Sequence, residues 1–196
     1  GDDEYLDRAW FQLARSIFNK GKYELALFEF KNFLNRCKTN NLSAESRYWM
    51  GESYYNLSDY PNAIEEFRRY ITVAGETDLA QNAHDRIGTI YLAQKRYDEA
   101  IIEWETARSK SKDQNKNNLR QYWIGDALYR NGKYDEALQK LTSVASVNID
   151  PKINAMADMV LGRIYQRKGD HQKALQMFGS IPPAILKEAP FTDVQY

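Results

Sequence analysis

Gly132-Lys-Tyr-Asp-Glu-Ala137 returns along the chain as Gly21-Lys-Tyr-Glu-Leu-Ala26, Ser58-Asp-Tyr-Pro-Asn-Ala63, Lys95-Arg-Tyr-Asp-Glu-Ala100 and Gly169-Asp-His-Gln-Lys-Ala174. Ala26, Ala63, Ala100, Ala137 and Ala174 stand 37 residues apart at every step. A constant period of roughly 20–50 residues marks stacked repeats, each of which buries its apolar face only against its neighbours.

On either side of each phrase the pattern is helical. In Tyr48-Trp-Met-Gly-Glu-Ser-Tyr-Tyr55 apolar and aromatic residues recur at three- and four-residue spacing. Ile64, Phe67 and Ile71 form one stripe with charges opposite. Alternating β-branched runs bounded by hairpin turns are missing. Each repeat therefore reads as helix A, a tight turn, helix B and a polar loop.

The spacing predicts A helices over 6–20, 43–57, 79–94, 117–131 and 151–168, and B helices over 23–37, 61–74, 97–110, 134–146 and 171–179. Gly21, Gly132 and Gly169 stand where helix A stops, a place that favours the left-handed backbone. Pro61 suits the first turn of a B helix, and Asp150-Pro151 is a cap and first turn for the last A helix. Twelve residues before the alanines stand Ala14, Gly51, Gly88, Gly125 and Gly162. Glycine inside a helix costs roughly 0.5–1 kcal/mol relative to alanine, so four in register imply a close approach. The expectation is that each glycine of helix A faces the alanine of helix B.

Composition bounds the function. The 196 residues carry 27 Lys plus Arg against 27 Asp plus Glu, and 43% are hydrophobic. A balanced charge argues against a general nucleic-acid binder, and the apolar content supports a folded chain. Cys37 is the single cysteine, which excludes an intramolecular disulfide and a Cys-based zinc site. It reads as a small, half-buried apolar residue near a helix end. No run of 18 apolar residues occurs, so no transmembrane span is expected. No signal-peptide pattern is visible, and because the chain opens on Gly1, a targeting segment would lie outside it.

Catalytic chemistry finds no support. His84 and His171 fall in different repeats with no metal-binding spacing nearby. Neither a phosphate-binding glycine loop nor a nucleophile elbow is present. The expectation is a non-enzyme without cofactor or metal.

Taken together, these residues resemble the tetratricopeptide repeat, a helix–turn–helix motif with a small residue in helix A and an alanine in helix B. The resemblance extends to Leu13, Met50, Ile87, Ile124 and Leu161 at one apolar position. It also covers Phe30, Phe67, Trp104, Leu141 and Phe178 at another, and Trp10 at the family's tryptophan position. It implies an all-α, right-handed solenoid of five repeats, about 7–43, 44–80, 81–117, 118–154 and 155–181, within residues 1–181, followed by a tail over 182–196. The 37-residue period is longer than the common 34, and the closing proline is absent. The longer period is similar to bacterial cell-envelope members, among them a Tol–Pal-associated periplasmic protein and a lipoprotein of outer-membrane assembly. That likeness implies a periplasmic location.

In such families the A helices line the concave, partner-binding side. The exposed A face is expected to carry Phe11, Arg15 and Phe18 in the first repeat and Tyr48, Glu52 and Tyr55 in the second. Tyr122, Asp126 and Tyr129 follow in the fourth, and Arg163 in the fifth. Asp85, Thr89 and Leu92 break the aromatic pattern in the third. Aromatic residues with polar tips are common interface anchors. Glu52 and Asp126 would favour a partner with apolar groups and positive charge; Arg15 and Arg163 would favour the opposite. The family's paired Lys and Asn carboxylate clamp is not matched.

Pro182-Pro183 is expected to close the last B helix, leaving an apolar edge for a second copy, a longer chain or the tail segment Pro190–Tyr196. The sequence thus predicts a protein–protein interaction scaffold that holds a protein or peptide segment. A docking or regulatory domain of a longer protein, and a self-assembling homo-oligomer built through the terminal repeat or tail, stay open as alternatives.

Overall fold

The computed structural model describes residues 2–37, 41–147 and 150–188. All regular structure among them is helical. The A helices are α1 (Asp2–Asn19), α3 (Asn41–Asn56), α5 (Asp78–Ala93), α7 (Gln114–Arg130) and α9 (Pro151–Arg167). The B helices are α2 (Tyr23–Arg36), α4 (Tyr60–Ala74), α6 (Tyr97–Lys110), α8 (Tyr134–Ala145) and α10 (His171–Gly179), and a short α11 (Pro183–Glu188) follows. Pro183 opens a new helix instead of only ending the old one. The segment 190–196 lies outside the described residues. The chain divides into two compact units, Gly1–Ile87 and Gly88–Tyr196, with the division inside α5.

The five A-to-B turns are built alike. Gly21 donates its N–H to the Phe18 carbonyl and Lys22 reaches back to Ile17, a paired closure repeated at Ser58/Asp59, Lys95/Arg96, Gly132/Lys133 and Gly169/Asp170. This is the Schellman arrangement, which satisfies the last carbonyls of a helix and requires a left-handed residue. Gly21, Gly132 and Gly169 take that conformation, with φ of 73°, 77° and 78°. In the second and third turns Ser58 and Lys95 take it instead, with φ of 60° and 59°. Aspartates cap some of the helix starts: Asp113 accepts from Asn115 and Lys116 N–H, which starts α7 three residues before the expected position, and Asp150 accepts from Lys152 N–H at 2.8 Å.

The register glycines are filled differently from expectation. A Cβ on Gly51 would fall 2.7 Å from the Phe67 ring, and one on Gly125 would fall 2.6 Å from Leu141. Gly88 and Gly162 meet Trp104 and Phe178 in the same way. The large side chain sixteen residues downstream, not the alanine, lies over each glycine. A small residue thus receives a large one, which is how close-packed interiors avoid voids. The alanines of the phrase are buried beside this contact.

Within Gly1–Ile87, Phe11, Ala14, Ala26, Phe30, Phe33, Cys37 and Met50 form one core cluster. Cys37 lies at the end of α2, as expected, but is buried instead of half-buried, and its carbonyl accepts from the Ser43 hydroxyl. Leu13 departs from expectation: its register partner Met50 is core, whereas Leu13 is 55% exposed. Within Gly88–Tyr196, Trp104, Ile124, Leu141, Val144 and Ile164 are fully buried. Polar ties 33 to 35 residues apart join successive repeats there: Asp98 accepts from Lys133 at 2.8 Å and Asn131 at 3.2 Å, and Glu105 accepts from Lys140 at 2.8 Å. Asp135 pairs with Lys168.

Candidate partner-binding face

The A helices of each unit present rings and charges in a defined arrangement. In the first unit, Tyr48 and Glu52 are one turn apart on α3, and the Tyr48 hydroxyl donates to Glu52 Oε1 at 3.1 Å. Arg86 of α5 donates from Nε to the same oxygen at 2.7 Å. Its guanidinium lies 5.0 Å from the Tyr55 ring centroid. Glu52 is buried, so an unpaired charge there would be costly; Arg86 compensates it while lying over Tyr55. Burial, then the Glu52 charge, push the Tyr48 phenol well above its ordinary range. Burial also raises Tyr55, against the opposing charge of Arg86. For Arg86, burial pulls downward but the Glu52 carboxylate outweighs it, so the guanidinium is held charged more firmly than usual.

Arg15 sits beside this group. Its guanidinium lies 4.7 Å from the Trp49 ring centroid and 6.0 Å from that of Phe11. Phe18 packs edge-on against Trp49 at 5.2 Å and against Tyr23 at 5.3 Å. The Arg15 Nε and the Trp49 indole N–H are both buried without an acceptor among the described residues. Among the described residues the contacts of the Arg15 guanidinium are with these aromatic faces.

The second unit repeats the theme with other residues. Asp126 is buried on α7 and accepts from Arg130 Nε at 2.7 Å. Burial raises the Asp126 carboxyl above its ordinary range, opposed by Arg130 and by the charge of Arg163. Tyr129 packs on Tyr134 at 5.8 Å, and Arg167 of α9 donates to the Tyr129 hydroxyl at 3.2 Å while lying 5.8 Å from its ring centroid.

The ten expected contact residues thus separate into two groups. Phe11, Tyr48 and Tyr122 are 1%, 6% and 5% exposed; the first ring of each triplet packs inward and is not surface. Glu52 and Asp126 are buried and neutralised, so they do not present the negative charge expected of them. Arg15, Phe18, Tyr55 and Tyr129 are half-buried, and Arg163 is exposed. Trp49, Arg86 and Arg167 were not expected. The four-then-three spacing followed one helix at a time, whereas Arg86 reaches Glu52 from 34 residues away and Arg167 reaches Tyr129 from 38. Asn56 donates to the Glu52 carbonyl at 2.8 Å and so belongs to the end of its own helix.

A second recess in the first unit, about 1260 Å³, lies between α2, α3 and α4. Glu66 within it pairs with Arg47 and Arg69, each at 3.1 Å. Among the described residues no cluster of ligating side chains could hold a metal ion, and no helix is long and apolar enough to cross a membrane.

Known proteins share the fold and the repeat. The sequence profile of the tetratricopeptide repeat matches residues 48–113 and 122–181. No curated protein matches the sequence. Solved structures share the fold at low identity. A fragment of MamA from Desulfovibrio magneticus RS-1 superposes with a TM-score of 0.75 at 21% identity, covering 94% of this chain and 97% of that one. BtubC from P. vanneervenii gives 0.75 at 15% identity, covering 90% and 78%. YrrB, a repeat protein of this kind with an unusual peptide-binding site, gives 0.67 at 22% identity, covering 86% and 80%.

Proposed function

The chain belongs to the tetratricopeptide repeat family, and from that premise we propose that it is a non-catalytic scaffold that holds an acidic protein or peptide segment on its A helices. The observation that carries this reading is the pairing of arginine with aromatic ring on the A helices of both units. Arg15 on Trp49, Arg86 on Tyr55 and Arg167 on Tyr129 each present a guanidinium beside an apolar surface. The nearby carboxylates Glu52 and Asp126 are buried in ion pairs with Arg86 and Arg130, which leaves Arg15 and Arg167 as the positive groups beside the rings. A segment with Asp or Glu next to an aliphatic or aromatic side chain fits such a surface. The peptide-binding site of YrrB, which shares the fold, supports a peptide as the partner class.

Peptide display against the immobilised protein tests this. Selected sequences are expected to be enriched in Asp and Glu, and Arg15→Glu in the first unit and Arg167→Glu in the second are each expected to weaken a peptide bound on their own unit roughly tenfold in fluorescence anisotropy, a loss of about 1.4 kcal/mol. Selection of neutral or basic peptides, or affinity unchanged in both variants, would overturn the reading.

The 37-residue period and the likeness to envelope members support a bacterial periplasmic location for this scaffold. Fractionation of cells carrying the tagged gene product checks it: recovery with periplasmic markers is expected, and recovery with cytoplasmic enzymes would remove that part.

A further inference from the structure

Helix α1 presents to solvent a face that later A helices keep covered. Leu13 is in register with Met50, Ile87, Ile124 and Leu161, all at most 4% exposed. Ala9 is exposed where Ser46, Ala83 and Ala157 are buried, and Leu6, 52% exposed, takes the place of buried Ser43 and Ala80. Leu6, Ala9, Trp10 and Leu13 line a recess of about 420 Å³ beside Arg36. What fits such a face can be read from α3. There Met50 belongs to one cluster with Phe30 and Phe33 of α2, with Leu27 and Leu34 packed at its margin. The face of an A helix is shaped for the outward side of a B helix.

The same chain carries a B helix whose outward side lacks a cover among the described residues. Leu175 of α10 is in register with Leu27, Ile64, Ile101 and Leu138, all half-buried, and is itself 72% exposed. Phe178 is half-buried where its counterparts Phe30, Phe67, Trp104 and Leu141 are at most 1% exposed. Leu175 and Phe178 have the three-residue spacing of Leu27 and Phe30, the pair that α2 supplies beside Met50.

We infer that copies of this chain join head to tail, α10 of one copy seated on α1 of the next, with Leu175 filling the recess beside Leu6, Trp10 and Leu13, and Phe178, which stays over Gly162 of its own repeat, bordering it. The occupant is a second copy because α10 displays, uncovered and in register, the side chains that α1 lacks. The contact is heterologous: two different surfaces meet, so each copy keeps one free end and association continues with concentration. It is independent of the peptide-holding surface, since neither Leu13 nor Leu175 belongs to that surface.

Sedimentation velocity on the whole chain tests this with two variants, Leu13→Asp and Leu175→Asp. Both positions are largely exposed, so thermal melts close to wild type are expected. The wild type is expected to grow in size from about 10 to 300 μM, the range in which weak interfaces associate. Each variant alone is expected to sediment as a monomer. Their equimolar mixture is expected to give a discrete one-to-one pair, because one variant keeps the tail and the other keeps the head. A wild type that stays monomeric, a single variant that associates like wild type, or a mixture without the pair would each overturn the inference. Peptide affinity unchanged in Leu13→Asp keeps this outcome separate from that of the proposed function.

Discussion

Ser58 and Lys95 are held in a backbone conformation that their side chains resist. The other three A-to-B turns use glycine for the same hydrogen-bond pair, so the conformation is imposed by the turn and not by the residue. A left-handed non-glycine residue costs roughly 1–2 kcal/mol, part of which is offset by the lower entropy of a non-glycine residue in the unfolded chain. Ser58→Gly and Lys95→Gly are each expected to stabilise the fold by about 0.5–1 kcal/mol. Urea denaturation checks this, and a midpoint that falls in both variants would show that the turn does not carry the strain. The sequence already marked these positions, because the phrase is in register where its first residue is not glycine.

At the scale of the helix pair, the contact that defines each repeat is a glycine under a large side chain. Gly125→Ala places a methyl group within 2.6 Å of Leu141, which must move inside a packed core. The expected cost is about 1–3 kcal/mol, and a double-mutant cycle with Leu141→Ala should show coupling, since the shorter side chain admits the methyl. Additive effects would mean that the two positions do not touch. The helices, their ends and the role of small residues were legible in the sequence, because a 37-residue period repeats every local signal five times. The partner of the glycine was not legible. Register places Ala137 and Leu141 on one face of the same B helix, and only packing decides which of them lies over Gly125. The candidate face was legible in part for the same reason. Helical spacing put Phe11, Tyr48 and Tyr122 on one stripe with Phe18, Tyr55 and Tyr129, but the first ring of each stripe turns into the core and the second remains at the surface. Arg86 was hidden because its meaning depends on a carboxylate in the preceding repeat.

For the whole molecule, family membership follows from repetition, whereas the chemistry of the surface follows from the places where repetition fails. The phrase is nearly constant, but the ring–arginine pairs are made from residues at different registers, Arg86 in one repeat and Arg167 in another. The first and last repeats differ from the interior ones in what covers them, and the exposed Leu13 and Leu175 record that difference. One further consequence comes from the polar ties between repeats. Arg86 to Glu52, Lys133 to Asp98, Lys140 to Glu105 and Lys168 to Asp135 span 34, 35, 35 and 33 residues. Closing a loop of that size is all that any of these ties asks of the unfolded chain, and the entropy of closure rises only slowly with length. Adding repeats adds further closures of the same size without a longer one. The search for the native arrangement therefore stays local however long the array becomes, the condition under which chains fold fast.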